Sequence, residues 1–116
     1  MLTELRWEKE QALMRGVFPD FQAFNRDSCF GFQGCLKGKK SGRVYQVVLE
    51  AEQATYPQYA PHVRMEPNLG HYWIGEGLAR RLCVTRDWQP ARSTFANTLL
   101  VAIKFLEELD GVAAFT

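Results

Sequence analysis

Cys83 is the residue of this chain best suited to covalent chemistry. It stands in Leu82-Cys83-Val84-Thr85-Arg86-Asp87-Trp88-Gln89-Pro90, just ahead of a Trp-x-Pro corner. A long amphipathic helix pattern follows, from Ser93 to about Leu109. The thiol is therefore expected on a loop between rigid elements, where a bulky partner can reach it. A thiolate is a strong nucleophile and a good leaving group, so it can accept an acyl group and hand it on. The structural alternative is an inert buried cysteine, since free cysteine is among the most buried residue types.

Other clusters point to less. Cys29 and Cys35 share one strand parity, opposite Phe30 and Phe32, which suggests a place on a strand face. Together with His62 and His71 they show no Cys-x-x-Cys spacing, so no metal site is expected. Gly75-Glu76-Gly77 reads as a turn, and no phosphate-cradling motif is present. The chain is thus not expected to activate a carboxylate with ATP itself, and no cofactor is implied. Lys37, Lys39, Lys40 and Arg43 form a basic turn, read as a solvated hairpin.

The elements that position Cys83 must come from one modest core. A chain of 116 residues with 47% hydrophobic content predicts a single domain over 1–116. A formal net charge of +1 gives no reason to expect a nucleic-acid or membrane partner. No apolar run approaches the roughly 20 residues that span a bilayer. The charged start, Met1 to Glu10, lacks the apolar stretch of a signal peptide. An odd number of cysteines, three, argues against a disulfide framework. These points favour the cytoplasm, where thiols stay reduced.

Residues 3–15 read as a helix capped by Thr3, with Leu5, Ala12 and Leu13 on one side and Gly16 as its stop. Val17 to Phe21 is a connector, because Pro19 disfavours continued helix. Three strands are expected: Phe30–Leu36, Arg43–Glu52 and His62–Met65, the first two joined by the polar turn Lys37–Gly42. Short connections imply an antiparallel meander. Pro57 and Pro61 are expected to hold the chain extended between the second and third strands. Glu66 to Pro90 shows no clear period and reads as a long ordered loop, too apolar to be disordered. Ser93 is the expected cap of the last helix, whose apolar face carries Phe95, Leu99, Ala102, Ile103, Leu106 and Leu109, with Asp110-Gly111 as its stop. The expected fold class is α+β, with that helix laid on one face of the sheet.

This order of elements and motifs resembles the ubiquitin-conjugating enzyme fold, in particular its short bacterial relatives. Tyr45 to Pro61 looks like the family's second strand running into its Tyr-Pro-x-x-x-Pro corner, here Tyr56, Pro57 and Pro61. Leu82-Cys83 looks like the catalytic cysteine site. Trp88-Gln89-Pro90-Ala91 and the helix after it are similar to the family's Trp-x-Pro-Ala segment. The chain departs from the family's His-Pro-Asn tripeptide: Pro67-Asn68 follows Glu66, and Asn68 lies 15 residues ahead of Cys83. His71 lies 12 ahead.

The resemblance implies a thioester-forming transferase. Cys83 would receive a protein C-terminus from a separate activating enzyme and pass it to an acceptor. Such a carrier needs a donor for the tetrahedral oxyanion, worth roughly 10²–10³ in rate. Asn68 and His71 are the candidates for that donor, and Asp87 for positioning or deprotonating an attacking amine. Short bacterial relatives occur in antiphage operons, including those encoding cyclic-oligonucleotide synthases, where the synthase's own C-terminus is the donor. The competing reading is a non-catalytic interaction module of the same fold, like the RWD domains, which share the Tyr-Pro-x-x-x-Pro corner and lack the cysteine. The end, Gly111 to Thr116, has no Gly-Gly tail and does not resemble a conjugated modifier.

Overall fold

The computed structural model describes residues 3–66, 73–74, 81–82 and 88–112. The first helix, α1, spans Glu4–Val17, and the Thr3 side chain accepts a hydrogen bond from the Arg6 amide at 3.2 Å. The helix does not stop at Gly16. It ends at Phe18, whose amide still reaches the Met14 carbonyl at 2.7 Å, and Pro19 follows. The buried face also differs from the expected one. Leu5 and Leu13 are exposed, and the helix buries Glu10 and Met14 instead. A carboxylate can take a core position only when donors await it, and they do, as described below.

Four strands form one antiparallel sheet in the order β1-β2-β3-β4: Gln22–Asn25, Cys29–Lys37, Val44–Glu52 and His62–Glu66. Three of them match the expected meander. The fourth, β1, is additional and pairs Gln22 with Gln33 through Asn25 with Phe30. The register sets Phe30, Phe32 and Leu36 of β2 opposite Ala51, Leu49 and Tyr45 of β3. It then sets Leu49 and Val47 opposite Val63 and Met65 of β4. All of these side chains are buried on one face. At Gly34, opposite Val47, the Phe21 ring occupies the space that a side chain would take.

The last helix, α2, spans Phe95–Asp110 and packs Phe95, Leu99, Ala102, Ile103 and Leu106 into the core with that face. Phe30 is the centre of an aromatic cluster, with ring centroids 5.0 Å from Trp7, 5.2 Å from Tyr56 and 5.5 Å from Phe95. Each such pair adds about 0.5–1.5 kcal/mol beyond area burial. The opposite sheet face carries exposed Gln33, Cys35 and Gln46. The N-cap of α2 is Thr94, not Ser93. Thr94 and Asn97 form a reciprocal capping box, while the Ser93 hydroxyl accepts from the Gln89 amide at 2.9 Å.

The C-terminus of α2 is tied to the β2–β3 hairpin. The buried Asp110 carboxylate accepts from the Ser41 amide at 2.8 Å, the Ser41 hydroxyl at 2.5 Å and the Tyr45 hydroxyl at 2.9 Å. The Ser41 hydroxyl is the main cause that holds the Asp110 carboxyl below its ordinary range, and burial opposes it. A depressed folded pKa stabilises the fold above the unfolded value, near 3.9. That contribution is lost as pH falls from there through the lower folded value. Urea midpoints of wild type should therefore fall on acidification below about pH 4, and Asp110→Asn should flatten that fall. Parallel slopes for the two proteins would show that this carboxylate carries no acid sensitivity.

Two expectations about connections are corrected. Gln53 to Tyr59 is not extended: it folds through successive turns, with the Tyr56 amide on the Glu52 carbonyl at 3.0 Å and the Gln58 amide on the Thr55 carbonyl at 2.8 Å. Glu66 to Pro90 is not without regular structure either. Trp73–Ile74 (β5) and Arg81–Leu82 (β6) pair antiparallel, and β6 lies alongside β4. Among the described residues no helix is long and apolar enough to cross a membrane.

Candidate functional site

Cys83, Asp87, Asn68 and His71 lie outside the described residues. The structure places the elements on either side of the segment that carries Cys83. Upstream is β6, where Leu82 pairs with Trp73. Downstream is Trp88, whose indole N–H donates to the Pro57 carbonyl at 2.7 Å. The Trp88 ring also lies 5.8 Å from that of Tyr56. The Trp-x-Pro and Tyr-Pro motifs, separate in sequence, thus meet at one corner.

Tyr56 is fully buried there, and its hydroxyl donates to the Glu10 carboxylate and accepts from Arg6 Nη2 at 3.2 Å. Burial, then the neighbouring carboxylate, pushes the phenol far above its ordinary pKa. It therefore remains a donor across the whole working range of pH. Glu10, 1% exposed, completes its coordination with the amide of Phe95, the first residue of α2, on Oε1 at 3.1 Å. Arg6 Nε binds Glu10 Oε2 at 3.1 Å, Nη1 binds the Pro90 carbonyl at 3.1 Å and Nη2 binds the Ser93 carbonyl at 2.5 Å. Burial alone would lower the Arg6 pKa, but Tyr56 and Glu10 outweigh it and raise it. One guanidinium and one carboxylate thus join α1, the Tyr-Pro corner and the Trp88–Ser93 segment.

Arg6 and Glu10 are not among the site residues expected from sequence. Their i, i+4 spacing reads as an ordinary solvated helix pair. The only hint is Glu10 falling on the same helical stripe as Met14.

A cavity of about 590 Å³ opens beside this corner, lined among the described residues by Glu52, Thr55, Tyr59, His62 and Trp88 over Ala51 and Ala60. Its walls combine two aromatic rings, one carboxylate and one imidazole. His62, half-buried, is the first residue of β4. Cys29 and Cys35 are free, half-buried and exposed respectively, at opposite ends of one strand. Six residues of strand separate them by about 20 Å, beyond any disulfide reach. Among the described residues no group of three or more His, Cys, Asp or Glu side chains is placed to hold a metal ion.

No protein-family model, curated protein or solved structure matches the chain.

Proposed function

We propose that this protein is a cysteine-dependent acyl carrier of the ubiquitin-conjugating type, with Cys83 as the thioester-forming residue. The observation that supports the reading is the joined corner: the Trp88 indole sits on Pro57 and Tyr56, so two motifs of the resemblance share one site. The helix–meander–helix order is the second support. The sequence places Cys83 five residues ahead of that anchor.

In the proposed reaction the Cys83 thiolate attacks the carbonyl of a protein C-terminus carried as a thioester by a separate activating enzyme. The tetrahedral oxyanion collapses, the activating enzyme's thiolate leaves, and the acyl group rests on Cys83. An acceptor amine then attacks, loses its proton and expels the Cys83 thiolate. Asn68 or His71 is the proposed oxyanion donor, and Asp87 the residue that positions or deprotonates the amine. The proposed setting is the bacterial cytoplasm, in antiphage defence with a nucleotide synthase or a modifier as acyl donor.

The test is incubation with an activating enzyme, its modifier and ATP, followed by electrophoresis with and without reductant. Wild type should form a thiol-sensitive adduct that Cys83→Ala abolishes. An adduct that survives Cys83→Ala would move the chemistry to another residue. No adduct, with Cys83 inert to iodoacetamide in the native state, would favour the interaction-module reading.

A further inference from the structure

We infer that the cavity beside the Trp88 corner binds a planar organic cation, an amidinium or guanidinium head on an apolar stem. The site is built from β3, β4, the turns between them and Trp88, and it is independent of the chemistry assigned to Cys83.

Its volume of about 590 Å³ lies within the roughly 300–1,000 Å³ of small-molecule sites. Ala51 and Ala60, both buried, leave room at its floor that larger side chains would fill. The walls are held in place by the fold itself. The Trp88 ring is fixed by its N–H on the Pro57 carbonyl at 2.7 Å and stands 5.8 Å from the Tyr56 ring. Thr55, Gln58 and Tyr59 belong to one turn, in which the Gln58 and Tyr59 amides both donate to the Thr55 carbonyl, at 2.8 and 3.4 Å. Glu52 ends β3, paired with Cys29, and His62 begins β4. Walls that are ordered by the fold cost a ligand little to use.

Charge then selects the ligand. Among the described residues no lysine or arginine lines the cavity, and the exposed Glu52 carboxylate has no ion-pair partner. The arginines of adjoining elements are engaged elsewhere: Arg64 lies 3.6 Å from Glu50, Arg26 sits 4.7 Å from the centre of the Phe24 ring, and Arg6 holds Glu10. An anion would meet the Glu52 carboxylate with no cation beside it. A wholly apolar ligand would strip water from that carboxylate and return nothing. A cation gains from the carboxylate and from both rings. The rings also favour a flat head over a tetrahedral ammonium, because a guanidinium stacks with its face while it donates from its edge. Tyr59 is 70% exposed and so is available to stack. Thr55 and Gln58 bring further acceptors to the wall.

Benzamidine, benzamide and benzoate share one ring and differ in charge, so they separate charge from shape. The readout is the chemical shifts of the backbone amides and the Trp88 indole N–H on titration of the full chain. Benzamidine should shift Glu52, Tyr59 and Trp88 saturably. Benzamide should bind about tenfold more weakly, and benzoate should not bind. E52Q should bring benzamidine down to the level of benzamide, and Y59A should weaken both about fivefold. Both side chains are exposed, so both variants should melt with wild type. E107Q, which removes the same charge from the last turn of α2, should leave binding unchanged. N-acetylarginine amide and its neutral citrulline counterpart identify the source of the cation. An arginine amide that binds more tightly than benzamidine means a head carried on a protein, the reverse order means a free ligand, and either order supports the site. Equal binding of benzamidine and benzamide overturns the proposal. So does binding that E52Q and Y59A leave untouched, and so does the lack of any saturable shift.

Discussion

Replacing Glu10 with alanine should destabilise the protein by about 3–5 kcal/mol, because it strands two buried donors and leaves a half-buried arginine without its carboxylate. The carboxylate is the meeting point of three donors from three elements: Arg6 Nε, the Tyr56 hydroxyl and the Phe95 amide. Alanine would leave the Tyr56 hydroxyl and the Phe95 amide buried without this acceptor, at about 1–3 kcal/mol each. It would also leave the Arg6 cation without its carboxylate. Two milder variants separate these contributions. Glu10→Gln keeps an acceptor for the Phe95 amide and removes the charge. Tyr56→Phe removes one donor and keeps the ring, and should cost about 1.5–3 kcal/mol as a lost hydrogen bond to a charged group. Urea denaturation of the three variants checks the order. If Glu10→Ala proved no worse than Tyr56→Phe, the carboxylate would not be the hub. Set against a typical total of about 5–15 kcal/mol, the alanine variant sits close to unfolding.

Gly31→Ala should be as damaging, for a reason of space. Gly31 lies in the middle of β2, opposite Glu50 of β3. A Cβ there would be driven into the Leu49 carbonyl oxygen and would stand 2.8 Å from its carbon. Both obstacles are backbone in the central strand pair, so neither can rotate away. Relief requires the strands to part where Phe30 and Phe32 enter the aromatic cluster. Overpacking of this kind costs about 3 kcal/mol or more when nothing flexible can yield. Gly42→Ala is the control, since nothing lies within 4 Å of a Cβ there, although φ is +75°. Thermal melts should place Gly31→Ala far below both wild type and Gly42→Ala. A Gly31→Ala protein that melts with wild type would mean that the sheet adjusts at this point.

How far the sequence discloses this molecule depends on how local the cause is. The alternation of Phe30, Phe32 and Leu36, and of Tyr45, Val47 and Leu49, predicts two strands that the structure contains with nearly the same limits. The periodic face of the last helix is equally readable, because Phe95, Leu99, Ala102 and Leu106 recur at helical spacing in a long run. What escapes is set from a distance. Gln22–Asn25 has no alternating pattern, is mostly exposed and becomes a strand only by pairing with β2. Leu5 and Leu13 look like core, yet α1 is turned by Glu10 reaching Tyr56 and Phe95, so the leucines face outward. The cap at Thr94 rather than Ser93 depends on Asn97 returning a bond. At the site, the Trp88 and Tyr-Pro motifs are visible separately, but their contact is not. Arg6 resembles any surface arginine until the Pro90 and Ser93 carbonyls are placed beside it.

The meander and the two helices that cover it have different histories during synthesis. Each strand pairs with its neighbour in the chain, so the sheet can assemble as it emerges. Glu10 must wait for Phe95, which is translated 85 residues later. At about 5–20 residues per second that is an interval on the order of ten seconds. Throughout it the face bearing Phe30, Phe32 and Leu49 lacks one of its two helices. Until then the core lacks Phe95, Leu99 and Leu106, the side chains with which the last helix completes it.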